Sequence, residues 1–165
     1  MNQDYLSFLE RIKSTIQQER TRAIHHVNRS LINIYWEIGR QIVESQQNHG
    51  WGKSIVEQLS KDLQKSFPSQ SGFSSRNLWD MRRFFETYKD DANLRQLVAE
   101  IPWGHNLLIM QKAKSREESL YYIQASHQMA WSRSILLNQI KADAYQRQVE
   151  QPKHCLLYTS PSPRD

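Results

Sequence analysis

The chain has one cysteine, Cys155, so it can close no internal disulfide, and no second cysteine stands at zinc-site spacing. Glycine and proline are scarce, five of each in 165 residues, and several prolines crowd into the last fourteen positions. With so few breakers, and no stretch where apolar and polar residues alternate cleanly, the chain offers no strand and is expected to be helical throughout. Nothing approaches the ~18 consecutive apolar residues of a membrane span. The first twenty positions mix polar and charged residues and lack the apolar core of a secretory signal. No membrane partner is expected, and the expected location is the cytoplasm. Neither sign of charge dominates: 22 Lys and Arg stand among 17 Asp and Glu, a net charge of +5, which favours a polyanion such as nucleic acid only weakly.

What is present argues for one folded body. Apolar residues make up 38% of the chain and aromatics, Leu and Ile recur along it, which disordered segments lack. At this length one domain is the expectation, over residues 1–150. Residues 151–165 read as a non-native or disordered tail. Its last eleven residues, Cys155 to Asp165, look like the in-frame translation of a transposase sequencing adapter. On that reading the native sequence ends near His154 and Cys155 has no role.

The periodicity predicts six or seven helices, the first unusually long. From about Tyr5 to Gln47, Leu9, Ile12 and Ile16 share a face, and Val27, Leu31, Ile34, Ile38 and Ile42 continue at spacings of three and four, which reads as a buried stripe. The rhythm lapses across Gln17 to Thr21, so a bend or an unbroken coiled-coil-like helix both fit. Gly39 inside this run costs about 1 kcal/mol relative to Ala; a close helix crossing would account for it, and a neutral, tolerated glycine is the alternative. Gly50-Trp51-Gly52 marks a turn. Ile55, Val56, Leu59, Leu63 and Phe67 mark a second helix, stopped by Pro68. Ser74 or Ser75 caps a third, with Leu78, Met81, Phe85 and Tyr88 inside and Arg76, Asp80 and Arg83 outside. Short helices follow through Leu94 to Val98 and Leu107 to Gln111. Ser115 with Glu118 opens another, reaching about Ala130. Trp131-Ser132 starts the last, with Leu136, Ile140 and Ala144 on one side, to about Gln148.

Chemistry of a catalytic kind is missing. A hydrolytic nuclease clusters carboxylates around a divalent metal, and the PD-(D/E)xK type adds a nearby lysine. No Asp or Glu here is followed at the second position by Lys, and His25, His26, His49, His105 and His127 stand at no metal-binding spacing. There is no phosphate loop and no motif marking a nucleophile. No catalytic residue, metal site or cofactor is therefore assigned, and this fragment is expected not to be an enzyme. The second and third helices could form a helix-turn-helix with Arg76 and Arg83 reaching phosphates, although the connection exceeds the ~3–4 residues of a usual turn. Asp80 between them equally suits a salt-bridged solvent face. Lys112, Lys114 and Arg133, with Arg116, Lys141 and Arg147, enrich the last third in base, as phosphate contacts or as solubilising charges. The five tryptophans read mostly as core.

Three stretches carry a family resemblance: Ile34-Tyr-Trp-Glu-Ile-Gly-Arg40 with Gly50-Trp-Gly52, then Phe73-Ser-Ser-Arg-Asn-Leu-Trp-Asp-Met-Arg-Arg-Phe-Phe85, then Ile101-Pro-Trp-Gly-His-Asn106. A fourth, from Ser119-Leu-Tyr-Tyr122 through Trp131-Ser132 to Tyr145-Gln-Arg147, agrees. Together they resemble the N-terminal domain of the YhcG-like family over nearly all of residues 5–148. The resemblance implies a helical, winged-helix-like, DNA-contacting module. In the family it precedes a C-terminal PD-(D/E)xK nuclease-like domain, which would need a divalent metal such as Mg. The chain stops where that domain begins, so no catalytic residue carries over. The expected function is nucleic-acid binding or targeting, with Arg76, Arg82 and Arg83 as first phosphate contacts. The competing class is a protein-interaction domain, a homodimer formed through the long first helix.

Overall fold

The computed structural model describes residues 3–150, and the tail expected from residue 151, with its adapter-like segment, lies outside the described residues. Eight α-helices and no strand occur among the described residues: α1 (Gln3–His49), α2 (Lys53–Ser66), α3 (Ser75–Tyr88), α4 (Ala92–Val98), α5 (Trp103–Lys112), α6 (Arg116–Gln128), α7 (Arg133–Lys141) and α8 (Ala144–Glu150). The class is all-α, with one helix more than the periodicity predicts. The stretch read as one last helix is two, because Asp143 adopts a left-handed φ of 53° between α7 and α8. The described residues divide into two compact units, at Pro102 and Trp103.

In the first unit α1 is unbroken for 47 residues, a rod of roughly 70 Å at ~1.5 Å per residue. No Gly or Pro interrupts Gln17 to Thr21, and Arg22 pairs with Glu19 at 2.8 Å one turn away, so the lapse in apolar rhythm does not break the helix. The face that packs is not the expected one. Ile32, Tyr35, Gly39, Ile42 and Val43 are the buried residues of α1, whereas Val27 is 66% exposed and Ile34 51%. Of the expected stripe only Ile42 is fully buried. The apolar spacing is genuine, but α3 lies against the adjacent face, where the absence of a Cβ at Gly39 lets the Met81 backbone come in.

The α3 side of this contact is Leu78, Met81 and Phe84, all fully buried, with Trp36 edge-on to Phe84 and Phe85 at 5.6 and 5.0 Å. Helices α2 and α4 also pack on α3. The loop before α3 is pinned from several sides: Ser60 Oγ donates to the Phe73 carbonyl at 2.6 Å, and Asn77 Nδ2 donates to the Gly72 carbonyl at 2.7 Å. Farther along, Asn28 Nδ2 of α1 donates to the Ala99 and Ile101 carbonyls, at 3.3 and 3.1 Å, satisfying acceptors just past the end of α4. Arg29 grips Glu100 with two hydrogen bonds, at 2.7 and 3.0 Å.

In the second unit α5 packs on α6 and α7, and α8 on both of those. Ile109, Ile123 and Leu136 are its fully buried centre. His105 Nε2 lies 2.8 Å from the Trp131 carbonyl, and Tyr122 Oη accepts from the Tyr145 backbone N–H at 3.2 Å.

Candidate nucleic-acid interface

The third helix is fixed before it can present anything. Ser74 accepts from the Asn77 N–H at 3.1 Å, the N-cap expected from the sequence, and the buried Leu78, Met81, Phe84 and Tyr88 set the rotation of the helix. That rotation leaves Arg76 and Arg83 exposed on the outer side, with the half-buried Asp80 one turn from each. The three share one local field. Burial raises the Asp80 carboxyl above its ordinary range, while the positive charges of Arg76 and then Arg83 pull it back down. Such an arrangement can offer two guanidinium groups to an anion on a helix that cannot roll away.

Arg82 is placed differently. Its Nε donates to Gln46 Oε1 of α1 at 2.6 Å, its guanidinium lies 3.7 Å from Glu86, and it sits over the Trp79 ring at 5.8 Å. It ties α3 to α1 and does not join the outer face. Arg95 is similarly occupied, 4.4 Å over the Trp36 ring with a 2.8 Å hydrogen bond to Asn33.

The second unit carries the remaining candidates. Lys112 is exposed in the last turn of α5, and Arg133 is exposed at the start of α7, its side chain beside Gly104. Lys114 borders a small polar cavity of about 200 Å³ with Glu118, Tyr122, Asp143 and Gln146. The structure thus brings Arg76 and Arg83 together, but not Arg82 with them. Sequence reasoning passed over Lys61 and Lys65, exposed on α2 one turn apart, although their spacing of four was legible. Among the described residues no group of three or more His, Cys, Asp or Glu could hold a metal ion, and no helix is long and apolar enough to cross a membrane.

Residues 11–147 match the DUF1016 N-terminal domain. The chain belongs to the DUF1016 N-terminal domain family. This agrees with the resemblance carried by the Trp36, Trp79 and Trp103 motifs. Over 74 residues the DUF1016 N-terminal domain described here is 36% identical to a protein of Escherichia coli (strain K12) named "Putative nuclease YhcG", a stretch that covers 42% of this chain and 19% of that protein. The chain therefore matches under a fifth of the length of this curated relative. No solved structure matches the chain.

Proposed function

We propose that this DUF1016 N-terminal domain is a nucleic-acid-binding or targeting module of a nuclease-family protein, acting in the bacterial cytoplasm and meeting DNA through the outer face of α3. The observation that carries the reading is the pair of exposed arginines, Arg76 and Arg83, flanking Asp80 on a helix whose other side is locked into the core. The name of the E. coli relative supports the same direction. Backbone phosphates would draw the two guanidinium groups away from Asp80, giving sequence-independent and salt-sensitive binding. Lys112, Lys114 and Arg133 are proposed as further backbone contacts in the second unit. Arg82 is left out because it is half-buried and turned toward Gln46 of α1, off the outer face. A helix-turn-helix role for α2 and α3 belongs to the same proposal, with residues 67–74 as an extended turn. The reading assigns no catalytic step to the described residues. Cleavage, and a metal such as Mg, would fall to a C-terminal nuclease-like domain.

The test is binding to short duplex, single-stranded and branched DNA over a range of salt concentrations. Loss of both arginines in Arg76→Ala with Arg83→Ala should make the log K against log salt slope shallower by about 2, near 0.9 per phosphate contact. Arg82→Ala should leave the slope unchanged. If the folded chain binds none of the three forms at low salt, the reading is wrong.

A further inference from the structure

We propose that α1 pairs antiparallel with α1 of a second copy of this chain, about a twofold axis between Thr21 and Arg22. The proposal stands apart from the nucleic-acid reading and rests on the face of α1 that the fold leaves exposed. No residue of α1 before Ile32 is buried, although this half carries Ile12, Ile16 and Val27 at 43, 48 and 66% exposure. A single helix of some 25 residues gains little from propensity alone, and most helical stability in water comes from packing an apolar face. The first half of α1 has such a face, and its own unit does not cover it.

The spacing specifies what would cover it. Tyr5, Leu9, Ile12 and Ile16 follow one another at four, three and four residues, and so do Val27, Leu31, Ile34 and Ile38. Eleven residues separate Ile16 from Val27, close to three full turns, so both blocks lie on one stripe. A four-three-four interval reads the same in either direction. In an antiparallel pair each block therefore meets the other block of the second copy: Tyr5 faces Ile38, Leu9 faces Ile34, Ile12 faces Leu31 and Ile16 faces Val27. The interval where the rhythm lapses falls on the axis, and Arg20, the charge on the line of the stripe, comes opposite the small Ala23. The contact is self-complementary, as a twofold interface must be.

The second end of the stripe favours this direction over a parallel pair. Beside Ile34 and Ile38, α1 and α2 leave an open apolar groove of about 490 Å³, lined also by Trp51, Ile55, Leu59 and Leu63. Antiparallel pairing brings the Tyr5 to Ile16 block of each copy to the groove of the other. A parallel pair would set groove against groove and leave the lone half-helices to each other. Six of these eight side chains are exposed and Leu9 and Ile38 partly so, which presents on the order of 600 Å² per chain before the groove wall is added, against the ~800 Å² per partner of a standard interface.

The test is the mass of the full chain in solution by sedimentation, together with thiol cross-linking in a Cys155→Ser background. The expected mass is twice 19.6 kDa at micromolar concentration. Ile16→Glu should reduce it to that of one chain, whereas Gln18→Glu, on the opposite side of α1, should not. Both positions are exposed, so the folded core of the unit is preserved, and an unchanged urea midpoint verifies this. A mixture of Leu9→Cys and Ile34→Cys chains should cross-link to each other, and neither to itself. A single-chain mass at high concentration overturns the proposal, as does a dimer indifferent to Ile16→Glu. Cross-linking of Leu9→Cys to itself overturns the antiparallel direction.

Discussion

A methyl group at residue 39 would fall inside the van der Waals reach of the Met81 carbonyl, with the Phe85 Cβ 3.2 Å away. Alanine is the better helix former by about 1 kcal/mol, yet overpacking of this kind costs about 1–3 kcal/mol, and the obstacle is backbone rather than a flexible side chain. Because the obstacle is backbone the cost falls toward the upper end of that range, and Gly39→Ala should destabilise the first unit by a net of up to ~2 kcal/mol, read as a lower urea midpoint. A midpoint raised by the full ~1 kcal/mol of helix propensity would mean that α1 and α3 can separate at no cost. A close crossing at Gly39 was one of two readings open to the sequence, the other being a neutral, tolerated glycine, and the Met81 backbone decides between them. Which of two adjacent apolar faces would meet α3 was not legible in the sequence. Val27, Leu31 and Ile34 score as core by spacing, and only the position of Gly39, one step round the helix, favours the face that is buried.

At the scale of elements, the starts were more legible than the ends. Ser74, Ser115 and Ser132 each accept the N–H three residues on, because a short hydroxyl side chain after an extended residue has that donor within reach. The α7 to α8 break escaped notice because Leu136, Ile140 and Ala144 keep a spacing of four across it and no glycine or proline marks it. Asp143 takes the left-handed turn that glycine usually supplies. Ala130 does the same at the end of α6. Its φ is 52°, and the next residue, Trp131, donates its N–H to the Ser126 carbonyl at 3.2 Å, closing a Schellman turn. Left-handed geometry costs an L-residue about 1–2 kcal/mol, and glycine gives back about 0.5–1 kcal/mol in chain entropy. Ala130→Gly should raise stability by roughly 0.5–1 kcal/mol, visible as a higher melting temperature. A lower one would show that the alanine methyl contributes packing there.

Across the whole molecule the sequence disclosed net charge but not its disposition. Arg76, Arg82 and Arg83 look alike in a list, and only the rotation of α3 separates the two that face outward from the one that bonds Gln46. Titration also belongs at this scale, since each unit holds a buried tyrosine whose phenol pKa is raised, Tyr35 in the first and Tyr122 in the second. Burial holds the Tyr35 phenol above its ordinary 10.0, partly offset by Asn77, and holds Tyr122 above it too, partly offset by the Tyr145 N–H. A raised folded value means the neutral phenol is the form the fold keeps. The stabilisation is whole below pH ~10 and is lost as pH rises through the folded values. Urea midpoints should therefore fall steeply above pH ~10, and Tyr35→Phe should make the fall shallower. A midpoint flat to higher pH would place both hydroxyls in contact with water. The clasp by which Asn28 and Arg29 hold Ala99, Glu100 and Ile101 also sets a clock. Its two sides lie 71 to 73 residues apart in the chain, so at ~5–20 residues per second a ribosome needs roughly 4–15 s between making one and making the other. Over that interval the rest of α1, α2 and α3 are made, so α1 can pack on α3 before the clasp is there to lock it.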